Sequence, residues 1–185
     1  MSFVNAHFVT YARDLGYHPM AAAGAFSLIG ASAVIGSLIM GHLSDQHGRR
    51  WLLTASYYLR AMGFVVVLLS MGVPALGIPS LGLGTLLVGV LLVGFSWNSV
   101  VSITAAYTSD RYGVANMGVI YGTMFAVMPI GSGLGAFLGG LFYDFRGTYD
   151  IAIWSNIVLL IAAMTLVAFR GERRPPELRA AEAAA

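Results

Sequence analysis

From Ala21 to Met40 the chain runs for twenty residues without a charged side chain. An α-helix rises about 1.5 Å per residue, so this run covers about 30 Å, the hydrocarbon thickness of a bilayer. Comparable apolar runs recur at about 51–73, 83–107, 115–143 and 151–169. Lipid offers a backbone amide no hydrogen-bonding partner, so each run must satisfy its own amides as a helix. The expectation is an all-α, polytopic membrane helix bundle, with the lipid bilayer as its first partner. Charge content supports it: 10% of the residues are charged, against roughly 25% in soluble domains.

The opening run, Phe3 to Ala12, is half as long as a span requires. We read it as the end of a truncated first span. That gives six spans over residues 1–170 and a tail over 171–185. Met1 opens into this run without a basic leader and cleavage site, so a secreted precursor is not expected. The absence of cysteine excludes a disulfide framework, a thiolate metal site and a cysteine nucleophile. A net charge of +2 carries no nucleic-acid footprint. No cofactor and no metal are expected.

Between the second and third spans lies the most polar stretch, Gly41-His-Leu-Ser-Asp45-Gln-His-Gly48-Arg49-Arg50. It reads as a short cytoplasmic loop. Gly41 is expected to let two helix ends approach closely. Asp45 is placed to accept from the free amides of a neighbouring helix N-terminus. Gly48 permits a tight turn. Arg49 and Arg50 offer planar donors to that carboxylate or to lipid phosphate. An ordinary positive-inside loop would carry the same two arginines.

Polar residues inside the spans are few. His7, Tyr11 and Asp14 share one helical face, and Asn98 and Ser102 are one turn apart, with Ala105 completing their stripe. Two readings stand side by side. These residues line a cavity, or His7 bonds a neighbouring backbone, Tyr11 anchors at the interface, and Asn98 and Ser102 bond between helices. Arg60 lies near the bilayer middle, where a charge costs about 2.5–3.5 kcal/mol. No acidic residue sits inside a span. Its partner is therefore a carbonyl, water, a substrate anion or a residue outside this chain. The fifth span combines Pro129 with a series of glycines, which predicts a bent helix suited to close packing. Gly131-Ser-Gly-Leu-Gly-Ala136 has dinucleotide-like spacing, but it follows a helix rather than a strand and is set aside.

All ten basic residues are arginines. With the tail inside, Arg49, Arg50, Arg111, Arg170, Arg173, Arg174 and Arg179 are cytoplasmic, while only Arg13 and Arg146 are outside. Two echoes suggest duplication. Gly41-x-x-x-Asp45-x-x-Gly48 matches Gly140-x-x-x-Asp144-x-x-Gly147, and Tyr11-x-x-Asp14 matches Tyr107-x-x-Asp110. Each pair falls at the same junction of a three-helix unit, on opposite membrane sides. That is the mark of a 3+3 inverted repeat.

Gly-x-Leu-Ser-Asp-x-x-Gly-Arg-Arg resembles the loop signature of the major facilitator superfamily of transporters. Gly41, Leu43, Asp45, Gly48, Arg49 and Arg50 fall on its positions, and Gln46 stands where the family usually has a basic residue. The runs Tyr11 to Gly16, Ala21 to Asp45, Asp110 to Gly113 and Gly140 to Tyr149 resemble the carboxyl-terminal half of such a transporter. The similarity is closest to the monocarboxylate and oxalate–formate antiporter branch. That branch often has a carboxylate-binding cation in its eighth helix, whereas the matching run here, Met20 to Leu43, has no charge until His42.

The resemblance implies helices seven to twelve of a twelve-helix protein, with a second six-helix half, or another copy, as partner. It implies a secondary transporter in the plasma (inner) membrane, moving a small solute by alternating access, with organic anions among the candidates. On this basis His7, Tyr11, Asn98, Ser102 and Arg60 are the candidate cavity residues. Gly41, Asp45, Gly48, Arg49 and Arg50 would latch the cytoplasmic side. The family's cavity is lined by the first, second, fourth and fifth helices of each half. Arg60, on a third helix, is thereby more readily a structural residue. The rivals are a non-transporting bundle or remnant lacking its amino-terminal half and, more remotely, an intramembrane enzyme. For the enzyme, His42, Asp45 and His47 are the metal candidates, but the histidines lack i, i+4 spacing and no Gly-x-Ser-x-Gly elbow occurs.

Overall fold

The computed structural model describes residues 2–14, 16, 18–72, 77–147 and 149–169, with the side chains of 2–6 and 11 outside that description. The described elements are α1 (Ser2–Asp14), α2 (Pro19–His47), α3 (Arg49–Met71), α4 (Gly82–Phe95), α5 (Trp97–Tyr112), α6 (Val114–Arg146) and α7 (Asp150–Ala168). Helices α4 and α5 form one apolar segment, Gly82–Tyr112, interrupted at Ser96. This segment and α2, α3, α6 and α7 are each long and apolar enough to cross a membrane. The 13-residue α1 is too short. The chain is an all-α integral membrane helix bundle. The expected tail, with Arg173, Arg174 and Arg179, lies outside the described residues, as does Arg170.

Helix α3 is the hub, packing against α2, α4, α5 and α7. Its buried face carries Leu53, Ser56, Arg60, Phe64, Val67 and Leu68. Lipid supplies no hydrophobic drive between helices, so association depends on how closely backbones approach. Glycines provide that approach. A methyl group on Gly63 would lie 3.1 Å from the Gly89 carbonyl oxygen, and one on Gly89 would lie 3.1 Å from that of Gly63. The backbones of α3 and α4 therefore touch, glycine to glycine. On the other side of α4, Gly94 faces Ile29 and Ser32 of α2, and Gly36 of α2 faces the Phe95 carbonyl.

Helix contacts follow a pattern of exchange. Helix α1 packs on α6, the α4–α5 segment packs on α2, and α3 packs on α7. Swapping the first three spans for the last three leaves this list unchanged. Helix α6 is the exception in burial. It is 33 residues long, Pro129 lies within it, and Gly139 is its one buried residue. Its middle, from Val127 to Phe137, is exposed on Val127, Met128, Ile130, Leu134 and Phe137.

Two expectations about the polar stretch need correction. It is not a loop. Helix α2 continues through His47 and α3 begins at Arg49, so Gly48 alone makes the reversal, at φ +92°. A side chain is rarely held in that conformation, which accounts for glycine there. Gly41, expected at a close approach, has no atom within 4 Å of where a Cβ would lie. Close approach occurs one and a half turns earlier, at Gly36, whose Cβ would meet the Phe95 oxygen at 1.8 Å. Gly36→Ala should therefore destabilise the detergent-extracted protein by about 1–3 kcal/mol through overpacking. Gly41→Ala should be neutral or stabilising by up to about 1 kcal/mol, since glycine weakens an open helix interior. Thermal unfolding of the two variants checks the contrast.

Candidate functional site

One corner of the bundle is built on Arg49, the first residue of α3. Its guanidinium donates to Asp45 Oδ1, to Ser44 Oγ at 2.9 Å, and to Asp110 Oδ2 at 3.1 Å. Asp45 and Ser44 are on the last turn of α2, and Asp110 is on the last turn of α5. A planar fork with several fixed donors is what this geometry requires; a lysine offers one compact ammonium instead. Of the partners expected for the Asp45 carboxylate, helix amides or the two arginines, the structure shows the Arg49 side chain. Arg50 stacks over its neighbour Trp51, 4.6 Å from the ring centroid. Gln46, at the position of the family's basic residue, pairs with His42 at 3.0 Å. Asp110 is the member of this corner that sequence reasoning missed as a partner. Its appearance in the repeat echo was the available signal.

Arg60 lies midway along α3 and is 5% exposed. It donates to the Ser96 carbonyl, to the Trp97 carbonyl at 2.9 Å and to Ser96 Oγ at 3.4 Å. These acceptors sit at the interruption between α4 and α5. Ser96 Oγ in turn donates to the Val93 carbonyl at 2.9 Å. Arg60 was a candidate cavity residue; the structure instead buries it between helices, against carbonyls at the interruption.

For His7 the structure shows the second of the two readings, a bond to a neighbouring backbone. Its Nε2 is 3.0 Å from the Ala136 carbonyl, and its ring packs over Gly139 and against Tyr149, with centroids 5.3 Å apart. Tyr149 stacks on Tyr143 at 4.4 Å, and the Tyr143 hydroxyl donates to Asp14 Oδ2 at 3.0 Å. Burial holds the Tyr149 phenol above the usual tyrosine range, so it stays neutral in this cluster. These contacts tie α1 to the α6–α7 corner. The Tyr11 side chain lies outside the described residues.

Asn98 and Ser102 part company. Asn98 borders a cavity of about 360 Å³ between α2 and α5, together with Phe26, Ser27, Gly30, Ala33 and Trp97. Ser102 is not among the described lining residues; its hydroxyl bonds back to the carbonyls of Asn98 and Ser99, both at 3.2 Å. Thr108 turns its hydroxyl onto its own helix likewise, while Ser99 donates across the interruption to the Phe95 carbonyl at 2.9 Å. Phe26, Ser27 and Trp97 were missed, because nothing in an apolar run distinguishes a cavity wall from a packing face. A second cavity, of about 540 Å³, lies between α6 and α7 near Ser132 and Asn156. Among the described residues no three His, Asp or Glu side chains form a metal-binding group.

A family model described as Major Facilitator Superfamily matches residues 1–185. An uncharacterized MFS-type transporter, YcxA, from Bacillus subtilis (strain 168) is 30% identical over 180 residues, which are 96% of this chain and 42% of that protein. A protein named triacylglyceride transporter, from Mycobacteroides abscessus, is 28% identical over 131 residues, 71% of this chain and 24% of that protein. The chain spans less than half the length of either relative.

Replacing Arg60 tests its structural place. Arg60→Met withdraws the donor from the Ser96 and Trp97 carbonyls and should lower stability by about 1–3 kcal/mol. Arg60→Lys, with one ammonium reaching the same carbonyls, should lose less. Unfolding of both variants in one detergent gives the ranking.

Proposed function

We propose that this chain, which belongs to the major facilitator superfamily, is one six-helix half of a secondary transporter. It would carry a small solute across the membrane by rocking against a second half around a site near the bilayer midplane. The family points to transport rather than to enzymatic chemistry. The observation that carries the half reading is α6. A helix of 33 residues whose membrane-length window is 6% buried leaves a long glycine-rich face without protein against it. In a two-half transporter that face meets the partner. The length of the relatives, more than twice that of this chain, supports the same conclusion.

The exchange of contacts between the two triplets supports an inverted repeat. So do the two corners at opposite ends of the bundle, Arg49 with Asp110 and Tyr143 with Asp14. By the charge count, the Arg49 corner is cytoplasmic and the inner membrane is the site of action. There Arg49 joins α2, α3 and α5, and it would hold the cytoplasmic side closed in one of two alternating states. The cationic candidate for an anion site, Arg60, is occupied by carbonyls. An organic anion would therefore need its cation from the second half.

Reconstituted alone, the chain should give no solute uptake. Joined to the six preceding helices of a relative, it should give uptake above empty liposomes. Robust uptake by the monomeric chain would overturn the half reading. In the joined protein, Asp110→Asn should change the uptake rate by about tenfold, the coupling expected when one of two states loses a latch. An unchanged rate would remove Arg49 and Asp110 from the switch.

A further inference from the structure

The α2–α5 cavity has a composition that narrows the solute. Phe26, Ile29, Ala33 and Trp97 supply apolar surface, and the described lining residues include no ionisable side chain. Its volume of about 360 Å³ falls within the range of small-ligand sites, about 300–1,000 Å³. One polar group stands out. The Asn98 side-chain amide has no hydrogen-bond partner among the described residues, whereas Ser27 donates to its own helix at Ala23, 3.0 Å away. An amide presents both a donor and an acceptor. Asn98 is exposed at the cavity, so a solute that offers the complementary pair can replace water on it.

We infer that this cavity is a subsite for the uncharged, ring-bearing part of the transported solute, held by Asn98 through an amide, hydroxyl or carbonyl. The inference rests on the transport function proposed above and adds its substrate class. A carboxylate entering here would lose its hydration without meeting a cation. Arg60 is 5% exposed and bonded to the carbonyls of Ser96 and Trp97, and His7 lies in the α1–α6–α7 cluster. A neutral amide of the same shape loses less hydration and gains both hydrogen bonds.

Trp97 reports on its own cavity. The chain has three tryptophans, and Trp51 and Trp154 are removed by Trp51→Phe and Trp154→Phe. The reconstituted protein is titrated with benzamide and with benzoate, which share a shape and differ in charge. Saturable quenching by benzamide is expected, at least about tenfold tighter than by benzoate, and weakened at least about tenfold by Asn98→Ala. Equilibrium binding of radiolabelled benzamide to the unsubstituted chain gives the same comparison without the phenylalanine changes. Benzoate binding as tightly as benzamide would overturn the uncharged class and leave transport standing. Linear, unsaturating quenching by both compounds would show partition into lipid and overturn the subsite. Saturable benzamide binding without any uptake by the joined protein would overturn the transport reading alone.

Discussion

A guanidinium in the middle of a bilayer is unfavourable unless something holds its charge, and in this chain the holder is a break in a helix. Arg60 donates to the carbonyls of Ser96 and Trp97, where α4 ends and α5 begins. A continuous helix presents carbonyls already engaged along its own axis. Each carbonyl oxygen has two lone pairs, so those of Ser96 and Trp97, at the start of α5, can accept from Arg60 beside a helical bond. The pairing also fixes the rotation of α5 relative to α4. That rotation places Trp97 and Asn98 at the α2–α5 cavity.

Such a contact is available only because α3 and α4 approach closely. Gly63 and Gly89 bring the two backbones together one turn from Arg60 and two turns from Ser96. A side chain at either glycine would push the helices apart and lengthen the distance the guanidinium must reach. Gly36 and Gly94 repeat the device between α2 and α4. Packing by small residues is therefore not spread evenly over the bundle. It is concentrated around the one segment whose helix is broken.

The fold was legible because lipid leaves so few choices. Length and charge located every span to within a few residues, and the short first run was recognisable as short. What failed was the interior of those spans. Gly41 and Gly36 look alike in sequence, both in helical register in an apolar run, yet only Gly36 faces a backbone. Which face of a helix meets protein is decided by tertiary packing, and an all-apolar helix carries no polar stripe to reveal it. The same blindness hid Phe26 and Trp97. Arg60 and His7 were conspicuous as polar residues, and carbonyl partners were among the readings for both, but which carbonyls they meet is set by tertiary packing. The break at Ser96 has no proline, and its only sequence mark is the Gly94 and Ser96 pair.

The two corners differ in how they are joined, and that difference bears on motion. At the Arg49 corner a single residue, Gly48, connects α2 to α3, and an ion pair carries the link across to Asp110 on α5. A one-residue joint with a fork across it leaves little play, so α2, α3 and α5 are held as one body there. At the opposite corner the link between Tyr143 and Asp14 is a single neutral-to-charged hydrogen bond, backed by stacking of Tyr143 on Tyr149. Breaking it separates no ion pair. The fork at the first corner is thus the contact that α2, α3 and α5 must break to move apart, whereas α6, with the least protein around it, is held at the second by a hydrogen bond and stacking.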